Sequence, residues 1–411
     1  MKQPLYGWLV AEAVSLTGTR VSMIALPFLV LTTTGSATQT GLVALFETLP
    51  MVVLKVLGGP VIDRIGARRV TIGCDLASVV VVGAIPALHL LGVLTFPALL
   101  GLVAVAGALR GPGDAAKHAL VPAIAEHAAA PMERVTGLAG TIERTSSMLG
   151  AALAGGLVAV IGASNALIVD AASFGLSAVA LIVSTRALPA PPPVVEEEAT
   201  YGRQLREGWD FLRRDRVLFG IAVMVALTNL LDAAWSTVLI PVWAIESGGG
   251  AGAIGLVFAV FSGCSALGSV CAAAWAARLP RYRTYLFAFL VCGLPRYAVF
   301  AFDSPLWFVV AVSMTAGFAA GFLNPVLGAV IFERIPQPLV GRVSSLTTAM
   351  CFALMPLGGL LGGLLVTGTG LPSAMLVLGV AYFLVTMLPA VDPRWREMDR
   401  RKEPVPEPVS A

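Results

Sequence analysis

Charged side chains are scarce in this sequence. Only 12% of its 411 residues are Asp, Glu, Lys or Arg, whereas 57% are hydrophobic. An average soluble domain has about 25% charged residues and about 45–50% apolar residues with glycine included. A soluble fold of this composition would leave a large apolar surface in water. The composition therefore excludes an ordinary soluble domain and indicates a protein surrounded by lipid.

Histidine and cysteine are also rare, with three and five residues respectively, and they show no metal-ligand spacing. We therefore predict no metal site and no cofactor. The cysteines lie inside apolar stretches, which favours small core side chains over disulfides; they are Cys74, Cys264, Cys271, Cys292 and Cys351. Basic clusters occur only between apolar segments, so no nucleic-acid partner is expected. A G-x-x-x-x-G-K-[ST] loop is also missing, which argues against ATP hydrolysis.

The hydrophobic residues form twelve runs, each close to the roughly 20 residues that a membrane helix needs. The runs cover 7–31, 39–61, 70–91, 94–118, 135–161, 164–186, 216–245, 251–277, 284–302, 305–332, 340–366 and 371–391. They predict an all-α membrane protein with twelve transmembrane helices, which we number spans 1 to 12. Two six-helix bundles are expected at 1–186 and 216–392, with a linker at 187–215 and a tail at 393–411.

Basic residues lie on one side of this predicted bundle. The loops near 32–38, 92–93, 162–163, 246–250, 303–304 and 367–370 contain no Lys or Arg, whereas the opposite loops and both terminal segments contain most of the 27 basic residues. The positive-inside rule then places both termini in the cytoplasm, as a multi-pass protein of the inner membrane. An even number of spans is required, and twelve satisfies it.

The predicted linker contains an amphipathic segment. Leu205, Trp209 and Leu212 fall on one helical face, and the arginines lie largely elsewhere. Such a helix can lie at the membrane interface with its apolar face toward lipid, or it can be a solvated connection. The sequence leaves both interpretations open.

A glycine-rich basic motif connects predicted spans 2 and 3. It reads Gly59-Pro60-Val61-Ile62-Asp63-Arg64-Ile65-Gly66-Ala67-Arg68-Arg69. The motif resembles the signature cytoplasmic loop of the major facilitator superfamily at every signature position. That resemblance implies a loop that latches the two halves through Gly59, Asp63, Arg64, Gly66, Arg68 and Arg69. Independently, a glycine such as Gly59 permits close helix approach, and Gly66 permits a tight turn.

Further partial matches point to a branch of this family. The segment from Leu109 to Ala116 resembles the fourth-helix motif, whose arginine, here Arg110, has been linked to proton handling. The segment from Gly150 to Gly156 loosely resembles the antiporter motif, with Ala151 in place of its proline. The opening from Thr19 to Pro27 is similar to that of macrolide exporters and enterobactin-type siderophore exporters. These resemblances imply proton-driven export of small amphipathic molecules.

Ionisable residues inside the spans are the candidate site. Each costs about 2.5–3.5 kcal/mol near the bilayer centre, so each is expected to face a cavity or a charged partner. We select Arg20, Glu47, Arg110, Asp114, Glu143 and Asp232 for proton coupling or the substrate cavity. Permanent ion pairs between helices are the alternative explanation.

Three detailed expectations concern the partners of these charges. Arg110 and Asp114 are four residues apart on one helical face and should pair. Asp232 has no polar neighbour in sequence nearer than Asn229, and Asp75 lies where it could brace the arginines of the loop.

The leading functional prediction is a monomeric secondary transporter that exports drug- or siderophore-like compounds against proton influx, by alternating access in the lipid bilayer. Facilitated uptake or uniport of a small metabolite is an alternative. A membrane enzyme is less favoured, because the histidines form no cluster with carboxylates and no nucleophile elbow occurs. A receptor or scaffold is less favoured because no soluble domain is predicted.

Overall fold

The computed structural model of this protein describes residues 3–186, 201–275, 280–302, 304–336 and 339–399, and within these ranges no strand occurs. Twelve helical segments there are long and apolar enough to cross a membrane. They are Gln3–Thr34, Ala37–Lys55, Ala67–Leu90, Phe96–His127, Arg134–Ile161, Ala163–Ser184, Arg216–Glu246, Gly250–Trp275, Arg281–Ala301, Leu306–Ile331, Val343–Thr369 and Leu371–Val391. The predicted all-α, twelve-span membrane architecture is confirmed.

Five of the twelve spans are interrupted or contain a π-helical turn, and four further spans contain a proline inside a continuous helix. Span 4 comprises helices Phe96–Ala119 and Val121–His127, span 9 comprises Arg281–Cys292 and Leu294–Ala301, span 10 comprises Leu306–Ala320 and Leu323–Arg334, and span 11 comprises Val340–Ala353 and Met355–Thr369. Span 7 contains a π-helical turn, Trp235–Leu239, between helices Arg216–Ala234 and Ile240–Glu246, and Pro27 lies inside span 1. Prolines follow the breaks in spans 4, 9, 10 and 11, where they cannot supply a backbone donor.

The two halves of the bundle contact each other through spans 2 and 11 and through spans 5 and 8. Each contact is a close approach between glycines. A Cβ at Gly41 would lie 2.3 Å from the carbonyl oxygen of Gly359, and one at Gly155 would lie 2.7 Å from the Cα of Gly255. We call these contacts the glycine seams. Both lie toward the end of the bundle whose loops contain no Lys or Arg, which we call the arginine-poor end.

The connecting segments pack on the bundle. Short helix Gly59–Ile65 ends at Gly66, whose φ of 92° confirms the expected glycine turn. Linker helix Tyr201–Arg214 buries Leu212 against Leu218 and Val343 of the second half. Leu212 therefore contacts protein, which neither interpretation of the linker anticipated. The Leu205 side chain and residues 187–200 lie outside the described part.

The first residues after span 12 return to the second half. The 3-10 helix Pro393–Asp399 packs Trp395 against Gly220 and 5.9 Å from the Tyr285 ring. Arg334, the last residue of helix Leu323–Arg334, contacts Asp215 at 2.8 Å and Glu397 at 3.2 Å. These ion pairs join the linker, span 10 and the segment after span 12. Residues 400–411 of the predicted tail lie outside the described ranges.

Candidate functional site

A cavity of about 710 Å³ lies between the two halves. Spans 1, 2, 4 and 5 form one wall and spans 7 to 12 form the other. The cavity reaches Lys55 and Asp114, near the end of the bundle that carries the basic loops, whereas the glycine seams close it toward the arginine-poor end. Within the described part of the chain, the cavity therefore extends toward the end that carries the basic loops and is narrowed toward the arginine-poor end.

Five of the six predicted site residues line this cavity: Arg20, Glu47, Arg110, Asp114 and Asp232. The sixth, Glu143, is exposed on span 5 and does not line the cavity. Its spacing along span 5 gave its depth in the membrane but not the direction in which it points. The structure therefore brings together all of the predicted charges except Glu143.

Arg110 is the centre of an ion-pair network in the first half. Its Nη1 donates to Glu47 Oε1 at 3.0 Å, and its Nη2 lies 3.8 Å from Asp170 Oδ2. The Asp170 side chain is fully buried and also accepts a hydrogen bond from Ser22. The network joins spans 1, 2, 4 and 6. Asp170 was not among the selected site residues, although it lies at the same outward depth as Glu47.

The expected pair between Arg110 and Asp114 does not form. The structure pairs Arg110 with Glu47 and Asp170, and no ion pair within 4 Å joins it to Asp114 among the described side chains. The reason is that neighbouring spans supply other partners: span 2 brings Glu47 and span 6 brings Asp170 within 4 Å of the Arg110 guanidinium.

Asp232 has a partner that its sequence neighbourhood did not reveal. Arg296 of span 9 donates to Asp232 of span 7. The guanidinium also lies over aromatic faces, with Cζ 4.6 Å from the Trp235 ring centroid and 5.4 Å from that of Tyr382. The π-helical turn begins at Trp235, immediately after the helix that carries Asp232. The available signal was Arg296 itself, one of the few basic residues within a span.

Asp75 does not brace the arginines of the loop. Its carboxylate lies 3.1 Å from Lys117 Nζ and accepts a hydrogen bond from Ser177 at 2.6 Å. Lys117 is buried and also donates to Ser15, because span 4 continues past it to His127. This cluster holds one carboxylate, and nowhere in the described ranges are three His, Cys, Asp or Glu side chains grouped to hold a metal ion.

The loop between spans 2 and 3 contacts the first half. Arg68 donates to the Thr185 hydroxyl at 2.8 Å and to the Ile182 carbonyl at 3.3 Å, at the end of span 6. Arg64 and Arg69 are exposed, and the Asp63 side chain lies outside the described residues. Gly59 does not mediate a close approach, because a Cβ there would meet nothing within 4 Å. A Cβ at the neighbouring Gly58 would lie 2.6 Å from the Leu54 carbonyl oxygen of its own helix and 3.4 Å from Pro112 Cβ of span 4.

Comparison with known proteins identifies the family. The family model described as Major Facilitator Superfamily matches residues 8–250 and 222–411, which together cover almost the whole chain. The chain belongs to the major facilitator superfamily. As a member of the major facilitator superfamily, the protein is a membrane transporter and not a membrane enzyme.

Two relatives are similar to the chain over almost its whole length. The chain is 29% identical over 405 residues to the multidrug efflux pump Tap of Mycolicibacterium fortuitum, covering 98% of each chain. It is 28% identical over 399 residues to Tap of Mycobacterium tuberculosis (strain ATCC 25618 / H37Rv), covering 96% of this chain and 95% of the relative.

Solved structures show the same fold at low identity. The nucleoside transporter NupG has a TM-score of 0.76 at 13% identity, covering 94% of this chain and 98% of its own. A bacterial homologue of the iron transporter ferroportin, in an inward-facing state, has a TM-score of 0.71 at 14% identity, covering 96% of this chain and 98% of its own.

Proposed function

We propose that this protein exports drug-like amphipathic compounds from the cytoplasm by alternating access, driven by proton influx. The observation that supports the proposal is the Arg110 network in the wall of the central cavity. The relatives are named multidrug efflux pumps, which supports export and a drug-like substrate. Macrolide- and siderophore-like compounds belong to the proposed substrate range.

The orientation follows from the charge map. The loops at the arginine-poor end face the exterior by the positive-inside rule, so both termini and the linker face the cytoplasm. In this proposed orientation the glycine seams lie toward the exterior and the cavity extends toward the cytoplasm. This arrangement suits the step in which an exporter loads its substrate.

Proton coupling is proposed to use Glu47 and Asp170. The two carboxylates share one guanidinium, so their network carries one excess negative charge when both are ionised. An uncompensated charge inside a membrane is unfavourable, and binding of one proton removes it. Protonation of one of these carboxylates also weakens its ion pair with Arg110. The contacts between spans 2, 4 and 6 would then depend on whether a proton is bound.

The loop from Gly59 to Arg69 is proposed to latch the halves when the cytoplasmic end closes. In the cytoplasm-accessible conformation Arg68 contacts only span 6 of its own half among the described residues. The basic side chains Arg64 and Arg69 are exposed and available for a partner in the second half.

Everted membrane vesicles test this function, since their cytoplasmic face is outside. We expect fluorescent drug-like dyes to accumulate in vesicles with the wild-type protein when a proton gradient is present, and an uncoupler to abolish accumulation. Vesicles carrying Arg110→Ala, at matched protein levels, are the control. Equilibration of the dyes regardless of the uncoupler, with counterflow, would instead establish a uniporter and contradict the proposal.

A further inference from the structure

Arg20 is a charged residue near the middle of span 1 that forms no ion pair in the described part of the chain, although the carboxylate of Glu143 on span 5 interacts with it from beyond ion-pair distance. Among the side chains that the structure describes, no carboxylate lies within 4 Å of its guanidinium, whereas Arg110, Lys117 and Arg296 are each paired. An unpaired guanidinium at this depth is costly and is expected to serve a function. Because Arg20 lines the central cavity, a bound molecule can reach it.

The position of Arg20 is fixed by span 5. Its Nη2 donates to the Ser147 hydroxyl at 2.7 Å, and its stem lies against Gly150, where a Cβ would come within 3.0 Å of Arg20 Cβ and Cγ. The glycine therefore leaves room for the arginine stem. The guanidinium is oriented before any ligand arrives, which reduces the entropic cost of binding.

The hydrogen-bonding capacity of Arg20 is only partly used. Its Nη1 contacts the Met23 thioether at 3.3 Å, and a thioether is a weak acceptor. Its Nε is buried and has no hydrogen-bond partner among the described residues. A guanidinium offers five donors in a planar fork, which suits a carboxylate or another anionic oxygen group.

The wall of the cavity opposite Arg20, formed by the second half, carries aromatic side chains. All of the aromatic side chains that line the cavity come from the second half: Trp235, Phe258, Phe261, Phe289 and Tyr382. The first half contributes no aromatic side chain to the described lining, and Arg20 is on that half. A ligand with an apolar ring system and one anionic group would meet complementary surfaces on both walls.

We infer that Arg20 anchors an anionic oxygen group of the substrate, so that the cavity prefers aromatic amphipaths bearing a carboxylate or phenolate. This inference rests on the proposed function insofar as the cavity is the transport site. The carboxylate forms charge-assisted hydrogen bonds with the guanidinium, and the ring system packs on the aromatic wall. A neutral analogue of the same shape keeps only the second set of contacts.

Equilibrium binding to the purified protein in detergent tests the inference. The probes are a xanthene dye that carries a carboxylate and the methyl ester of the same dye. We expect the wild-type protein to bind the acid about tenfold to a hundredfold more tightly than the ester, as for a hydrogen bond to a charged group. In Arg20→Gln the two affinities should agree within about threefold. Equal affinities in the wild-type protein, or no binding of either dye, would overturn the inference.

A second variant keeps Arg20 and so addresses a failure of Arg20→Gln to fold. Ser147→Asp places a carboxylate where the serine hydroxyl accepts from Nη2, and this internal counterion competes with the ligand. We expect Ser147→Asp to lose the preference for the acid. Ser147→Asn, which matches aspartate in size without its charge, should still bind the acid more tightly than the ester. Retention of the full preference by Ser147→Asp would contradict the inference.

Export assays separate this inference from the proposed function. If the purified protein prefers the acid but everted vesicles accumulate neither dye, Arg20 is an anion site and the proposed export is wrong. If vesicles accumulate acid and ester equally and binding shows no preference, export stands and the role of Arg20 is refuted.

Discussion

Arg110 of span 4 donates to Glu47 of span 2 at 3.0 Å, in the wall of the central cavity. The same guanidinium lies 3.8 Å from the buried Asp170 of span 6. One side chain thus joins three helices of the first half at a position that a ligand or a proton can reach. The contact therefore affects both the packing of these three helices and the net charge of the cavity wall.

Glu47→Gln should impair proton-coupled export, because the amide cannot be protonated and loses the charge-assisted contact with Arg110. Loss of a hydrogen bond to a charged group corresponds to about a tenfold or greater effect. The measurement is the initial rate of dye accumulation in everted vesicles. Glu143→Gln makes the same chemical change outside the cavity and should transport at close to the wild-type rate. Equal impairment of both variants would remove the special role of Glu47.

Arg110→Lys should also be strongly impaired, although it preserves the charge. A single ammonium cannot reproduce the planar fork that contacts Glu47 and Asp170 together. We expect the vesicle transport rate to fall by about tenfold or more. The comparison is Arg144→Lys, since Arg144 is exposed on span 5. A transport rate above half of the wild-type value for Arg110→Lys would show that charge alone suffices.

Gly155→Leu should weaken closure at the arginine-poor end. The new Cβ would lie 2.7 Å from both the Ala251 carbonyl oxygen and the Gly255 Cα. Overpacking of this kind costs about 1–3 kcal/mol, which changes the population of the closed conformation about fivefold or more. A reporter cysteine, Thr38→Cys, lies at the other seam, between spans 2 and 11, where Thr38 contacts Thr367 at 2.8 Å. Because both seams lie at the arginine-poor end, the reporter should react faster with a polar maleimide when the seam at Gly155 opens.

Gly156→Leu is the control for that experiment. A Cβ at Gly156 meets nothing within 4 Å, although the residue is adjacent to Gly155. The labelling rate of Thr38→Cys should therefore stay at its original value. Identical labelling in both glycine variants would show that the seam does not control access.

Lys117→Met should lower the stability of the first half. The change leaves the Asp75 carboxylate buried without its cation, and loss of one partner of a buried pair costs about 3–5 kcal/mol. Thermal unfolding of the purified protein should show a Tm lowered by more than about 5 °C. Lys55→Met removes an exposed lysine and should leave Tm close to the wild-type value. An unchanged Tm for Lys117→Met would indicate that the pair contributes little.

The proposed orientation predicts which loops are reachable in intact cells. A cysteine at Gly248, in an arginine-poor loop, should react with an impermeant maleimide from outside, whereas a cysteine at Arg69 should react only in everted vesicles. The native cysteines are replaced beforehand. External labelling at position 69 would reverse the orientation and, with it, the direction of transport.

The spans could be predicted because each one carries its own signal. Hydropathy and length mark a membrane helix without reference to any other part of the chain, so all twelve were found. The glycine turn at Gly66 is equally local, since a positive φ depends on one residue. Membership of the family was likewise visible in one contiguous loop motif.

The partners of the charges could not be predicted in this way. Asp232 meets Arg296 of another span, and Lys117 meets Asp75, because helix rotation and packing bring them together. Those rotations are set by the packing of helices within each half, which a single sequence does not display. The depth of a charged residue along its span was therefore predictable. The direction in which its side chain points around the helix axis was not, as Glu143 shows.

The glycine seams affect how the range of molecules that this transporter accepts can change. Both seams consist mainly of backbone atoms packed on backbone atoms, and the glycine contacts involve none of the aromatic rings that line the cavity. Substitutions among these aromatic rings can therefore change which molecules bind while leaving the seams unchanged. Substrate recognition by the aromatic lining and closure at the glycine seams can thus change separately. A change in substrate preference therefore need not disturb the seams.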